Sequence, residues 1–192
     1  MSVKIKICGI TRREDALFAE RCGADYLGFV FAPASARRVG LEQIASLTTG
    51  LKAKKVGVFV NADLKFIREA VARGHLDVVQ LHGDESPEFA EKIDFAEVWK
   101  ASYQEDFPAA KLVCDAPRGG SGQFGDHTRA AGLSRKRKVM LAGGITPENA
   151  AELIRKVRPD GIDLSSGVEC APGIKDRRKI EELFNQVKGM ES

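Results

Sequence analysis

Residues 139–157 read VMLAGGITPENAAELIRKV, and this stretch decides the fold. An apolar run of strand length, Val139 to Ala142, stops at the pair Gly143 and Gly144. Thr146 and Pro147 then supply a helix cap and a first-turn residue, and apolar side chains three and four apart follow as far as Val157. Strand, glycine turn and capped helix make one βα unit.

The same unit recurs in both directions along the chain. Strands are predicted at 3–8, 26–31, 55–60, 78–81, 97–101, 111–115, 139–142 and 161–165, eight in all. Helical spacing occupies 12–23, 41–50, 64–74, 86–93, 147–157 and 175–190. Strands alternating with helices give right-handed crossovers and a parallel sheet, and eight units favour closure into a barrel over an open sheet. The expected fold is therefore a single α/β domain spanning 1–192, a (β/α)8 TIM barrel. At about 24 residues per unit it is compact against the roughly 250 residues usual for the class. The connection SYQEDFPAA at 102–110 is too short for a full crossover helix, so a shortened or irregular fifth helix is expected there.

Composition narrows the function. The chain has 30 Lys and Arg against 27 Asp and Glu, and the excess of +3 is spread along helices, which argues against a nucleic-acid partner. No apolar run approaches the roughly 20 residues that cross a bilayer, and the first nine residues lack the pattern of a signal peptide. A cytoplasmic protein with no membrane partner is expected. The four cysteines, Cys8, Cys22, Cys114 and Cys170, are far apart and form no CxxC, so reduced thiols and no metal site are expected.

In a barrel of this kind the C-terminal ends of all strands open into one mouth, where the chemistry resides. Those ends offer Cys8, Arg37, Asn61, His82, Asp115, the Gly143-Gly144 pair and the run DLSSG at 163–167. The loops after the seventh and eighth strands, with Gly143 and Gly144 and then Ser165, Ser166 and Gly167, expose backbone amides where many barrels hold a phosphate. Arg37, in the loop after the second strand, suits a carboxylate, so a small phosphorylated substrate with two anionic ends is implied. His82 reads as a base, a ligand or a polar residue of the binding wall, and ranks second to the others. Cys114 alternates with Asp115 and should pack toward the helices. Cys8 read alone fits packing better than chemistry. Asp115 ends an apolar strand, a costly choice unless it is solvated or used. Together a thiol and an acid form a proton-transfer pair.

Seven stretches, KICGIT, GADYLGFVF, VGVFVN, VQLHGDE, GGSGQ, LAGGITPEN and DLSSGVE, occur in this order over nearly the whole chain. In that combination the sequence resembles the phosphoribosylanthranilate isomerase family of tryptophan biosynthesis. The resemblance implies an Amadori rearrangement of N-(5-phosphoribosyl)anthranilate to 1-(2-carboxyphenylamino)-1-deoxyribulose 5-phosphate, without a cofactor, by a monomer or homodimer. It further implies Cys8 as general base, Asp115 as general acid, Arg37 facing the anthranilate carboxylate, and Gly143, Gly144, Ser165, Ser166 and Gly167 at the phosphate. The chain departs from the family's pattern at Gln123, where a lysine is usual, at 124–127, and at Ala36 before Arg37. The alternatives are the related sugar-phosphate isomerase of histidine biosynthesis, which has aspartate in the place of Cys8, a metal-dependent enzyme using Cys8, His82 and Asp115, and a non-catalytic phosphate-binding barrel.

Overall fold

The computed structural model describes residues 3–115 and 126–188. Eight parallel strands form a closed barrel: β1 (Lys4–Ile7), β2 (Tyr26–Val30), β3 (Lys54–Phe59), β4 (Val78–Leu81), β5 (Glu97–Ala101), β6 (Lys111–Cys114), β7 (Val139–Leu141) and β8 (Gly161–Leu164). The ring closes where β1 pairs with β8, Ile5 opposite Ile162 and Ile7 opposite Leu164.

Period-two alternation splits the apolar residues into two cores. Ile5, Ile7, Leu27, Phe29, Phe59, Leu81, Leu112, Cys114 and Leu141 face outward and pack under the helices, so Cys114 is a packing residue. Cys8, Tyr26, Val56, Val58, Val78, Trp99, Val113, Met140 and Ala142 fill the inside of the barrel. At the N-terminal rim an aspartate just ahead of a strand ties down the strand beside it. Asp25, Asp77 and Asp160 accept the backbone N–H groups of Ile5, Lys55 and Val139 at 3.0, 2.8 and 2.9 Å. Each bond satisfies an amide that the parallel ladder leaves open at its end.

The helices are α1 (Arg13–Cys22), α2 (Leu41–Thr48), α3 (Leu64–Gly74), α4 (Pro87–Ala90), α5 (His127–Ser134), α6 (Pro147–Val157) and α7 (Arg177–Lys188). Among the described residues no helix is long and apolar enough to cross a membrane. Two segments differ from the sequence expectation. The helix expected over 86–93 is a single turn. Lys92 and Ile93 bond three residues back, to Phe89 and Ala90, and this tighter winding turns Ile93 into the core and ends the element. The fifth crossover, 102–110, is irregular, as its length implies, and carries no helix. A helix does form at His127–Ser134, where a loop was expected. Its buried apolar residues are only Ala130 and Leu133, and Asp126 starts it by accepting the Arg129 N–H at 2.9 Å.

After β8 a 3₁₀ turn, Ser166–Val168, leads into a small antiparallel hairpin of β9 (Glu169–Ala171) and β10 (Ile174–Lys175). The sequence reading had no counterpart for it. The hairpin turns at Gly173, φ +80°, whose carbonyl accepts the Thr11 hydroxyl at 2.6 Å, so it folds back over the barrel mouth.

Candidate active site

Cys8 is the first residue past β1, and its N–H still bonds Leu164 O on β8 at 2.8 Å, which holds the thiol to the inside of the barrel. Space for it comes from the next strand. A Cβ at Gly28 would stand 2.6 Å from the Cys8 sulfur, so any other residue there would displace the thiol. Beyond Cys8 the chain turns at Gly9, φ +75°, where a Cβ would collide with the Arg37 stem and the Ser165 hydroxyl. That one glycine lets the loops after β1, β2 and β8 meet.

A cavity of ≈ 240 Å³ opens at this end, lined by Cys8, Arg37, His82 and Asp115 with Gly143, Gly144, Ser165 and Ser166. Each of these was a candidate from the sequence. Gly143 and Gly144 adopt φ +83° and +66°, a conformation that favours glycine and presents backbone to the cavity. Asn149 fixes this loop, accepting the Thr146 N–H at 2.8 Å and donating to Gly144 O at 2.9 Å. Gly167 has another place. A Cβ there would sit 2.0 Å from Ile145 O, so Gly167 is where the loops after β7 and β8 touch. The Gln123 departure lies outside the described residues.

Arg37 is already engaged. Its guanidinium donates from Nε at 2.9 Å and from Nη2 at 2.7 Å to the buried carboxylate of Glu169 on the hairpin, a forked pair. Lys175 joins the same carboxylate at 2.7 Å and also donates to the carbonyls of Cys8 and Ser165. Burial alone would push Glu169 up, but Arg37 and Lys175 outweigh it and hold the carboxyl below its usual range. Burial pushes Lys175 down against the pull of Glu169.

A second polar system runs through the inside of the barrel. Lys6, fully buried, bonds Asp163 at 2.7 Å and Gln80 Oε1 at 2.8 Å. Gln80 Nε2 lies 3.0 Å from His82 Nδ1, and His82 Nε2 lies 3.4 Å from Asp115 Oδ2. Burial works against the Lys6 charge, yet Asp163 and Cys8 raise it above its ordinary value. For Cys8 burial dominates and pushes the thiol up, with Asp163 adding to the rise and Lys6 and Lys175 opposing it. The thiol is the resting form. Lys6, Gln80, Glu169 and Lys175 were missed by the sequence reading, and Asp163 entered it only as the first residue of the run 163–167. Their one local signal is period two: Lys6 shares a face with Cys8, Gln80 with His82, and Asp163 with Ser165.

The arrangement can move protons, with a thiol, a carboxyl and a histidine converging on one cavity beside an arginine and two backbone-lined loops. A family model described as N-(5'phosphoribosyl)anthranilate (PRA) isomerase matches residues 5–186. An N-(5'-phosphoribosyl)anthranilate isomerase from Pelobacter propionicus is 43% identical over 201 residues, covering 97% of this chain and 96% of the relative. The phosphoribosyl anthranilate isomerase of Thermus thermophilus superposes with a TM-score of 0.92 at 41% identity, over 98% of this chain and 100% of the other. A phosphoribosyl anthranilate isomerase solved in complex with reduced 1-(o-carboxyphenylamino)-1-deoxyribulose 5-phosphate superposes with a TM-score of 0.85 at 36% identity, over 97% and 99% of the two chains.

Proposed function

The chain belongs to the N-(5'-phosphoribosyl)anthranilate isomerase family and catalyses that isomerisation in tryptophan biosynthesis, and from this premise we propose how its residues divide the work. Asp115, protonated, donates to the ribose ring oxygen and opens the furanose to a protonated Schiff base. The cationic nitrogen acidifies the C2 hydrogen. Cys8, as thiolate, removes it, and the resulting enolamine takes a proton at C1 and gives up its C2 hydroxyl proton to become the ketone. The substrate phosphate binds the amides of the loops carrying Gly143, Gly144, Ser165, Ser166 and Gly167, and the anthranilate carboxylate meets Arg37. His82 lines the wall between them.

The observation that carries this reading is the convergence of Cys8 and Asp115 on one cavity whose remaining walls supply a guanidinium and two glycine- and serine-lined loops. The raised thiol sets a condition on it. An elevated thiol is a poor base unless its proton has somewhere to go, and a proton passed from Cys8 to the Asp115 carboxylate makes the base and the acid together. The Schiff-base cation that follows favours the thiolate further. The histidine-pathway isomerase is not favoured, because Cys8 stands where that enzyme uses aspartate. Mixing the purified protein with phosphoribosylanthranilate tests the activity. Anthranilate fluorescence should decay in proportion to protein, and no decay would contradict the assignment.

A further inference from the structure

Inside the barrel, Lys6, Gln80, His82 and Asp115 form a line of polar contacts that leads from a fully buried ammonium group to the proposed general acid. It is built from one face of β4, where Gln80 and His82 are two residues apart, and it crosses the barrel to β1. The direction of every bond in it follows from its first member.

An ammonium group can only donate, so the oxygen of the Gln80 amide must face Lys6. The amide nitrogen therefore faces His82, and an amide NH₂ is a donor with no lone pair to offer. His82 Nδ1 has to accept, which leaves that nitrogen without a proton. The proton of the neutral ring sits on Nε2, which lies 3.4 Å from Asp115 Oδ2. Turning the Gln80 amide over would set an NH₂ against an ammonium group, and putting a proton on Nδ1 would set two donors 3.0 Å apart. The line has one consistent arrangement.

We propose that Gln80 is a positioning residue that, locked by Lys6, fixes His82 as the Nε2–H tautomer so that Asp115 presents its acidic proton to the substrate. A proton on Oδ2 would face the Nε2–H across 3.4 Å, so the proton that Asp115 carries resides on its other oxygen. In the opposite tautomer the bare Nε2 would accept the Asp115 proton and turn it away from the ribose ring. As an imidazolium, His82 would hold Asp115 ionised and unable to act as an acid. This inference rests on the assignment of Asp115 as general acid, and the experiments below separate the two.

The chain has three histidines, so the ring nitrogens of His82 can be followed by long-range proton–nitrogen NMR on the labelled free protein, with His82→Asn assigning the signal. The expected wild-type pattern is a neutral ring protonated at Nε2. Gln80→Glu keeps the shape and the bond to Lys6 but presents only acceptors, so the ring proton should move to Nδ1. Gln80→Met removes the donor and should leave a mixture of tautomers. In both variants kcat should fall by about 10²-fold, the lower end of what a lost general acid costs, with KM little changed because no substrate anion meets Gln80. Asp115→Asn should lower kcat by about 10²- to 10⁴-fold and leave the His82 tautomer as in wild type. A wild-type ring protonated at Nδ1, or a tautomer and kcat indifferent to both Gln80 substitutions, would overturn the proposal. An active Asp115→Asn protein would instead overturn the acid assignment.

Discussion

Two lysines point into the same barrel and have opposite fates. Lys6 is fully buried, yet its ammonium bonds the Asp163 carboxylate and the Gln80 amide, and its pKa is raised. Lys111 lies toward the other end, against the faces of Tyr26 and Trp99 at 5.3 and 5.1 Å, with one long contact of 3.4 Å to the Tyr26 hydroxyl. Burial lowers its pKa, outweighing the pull of Asp160 and Glu97. Tyr26 and Trp99 meet edge to face at 4.9 Å and close this end of the interior. A buried charge is tolerated here in two ways. At the mouth it is matched by a carboxylate and joined to the chemistry, and at the floor it rests on aromatic rings and performs none.

That contrast can be broken in order of effect. At the end of the Lys6 line, Asp115→Asn should lower kcat by about 10²- to 10⁴-fold, since an amide keeps the shape and cannot protonate the ring oxygen. Steady-state turnover measures it. Lys6→Met should destabilise the protein by about 3–5 kcal/mol in urea unfolding, because it strands the buried Asp163 carboxylate, whose Oδ1 already has no hydrogen-bond partner. Lys111→Met strands no carboxylate and should change stability by under about 1 kcal/mol or raise it. Equal losses for the two lysines would refute the distinction.

Between these in size is Arg37→Ala. It should weaken substrate binding by about 1.5–3 kcal/mol, and should leave the affinity of an analogue lacking the anthranilate carboxylate unchanged. Equal weakening of both ligands would show that Arg37 acts through its pair with Glu169 and not on the carboxylate. The smallest effect is the pH dependence. Between the lowered pKa of Lys111 and about 10.4 the unfolded chain binds a proton that the native state does not, so Lys111 contributes stability that rises with pH across that window. The contribution of Lys6 is complete below about 10.4 and is lost as pH climbs through its raised value. Wild type minus Lys111→Met should therefore climb toward pH 10, and wild type minus Lys6→Met should fall above it.

The parts of the molecule written in short-range pattern were legible. Alternation in KIKICG separates Ile5 and Ile7 from Lys6 and Cys8, and the Gly143-Gly144 break before Thr146 and Pro147 marks a loop at the mouth. What sequence hides is pairing across the barrel. Lys6 meets Asp163, and Arg37 meets Glu169, only because closure brings β1 beside β8 and the hairpin back over the mouth. Short helices are hidden too. Over 86–93 the spacing suits a helix, but burial of Ile93 tightens the chain after one turn. His127–Ser134 folds as a helix on two buried apolar residues and one capping aspartate.

Cys8 carries the central claim, because a buried thiol whose pKa is raised looks like packing until it is asked to react. The most direct test is the turnover of Cys8→Ala, followed by the decay of anthranilate fluorescence, beside its affinity for the reduced product analogue. With the barrel, Arg37 and the loops after β7 and β8 left in place, kcat should fall by at least about 10²-fold while the analogue binds almost as tightly as to wild type. A variant that keeps more than about a tenth of the wild-type kcat, well short of that loss, would make Cys8 a packing residue and contradict the account.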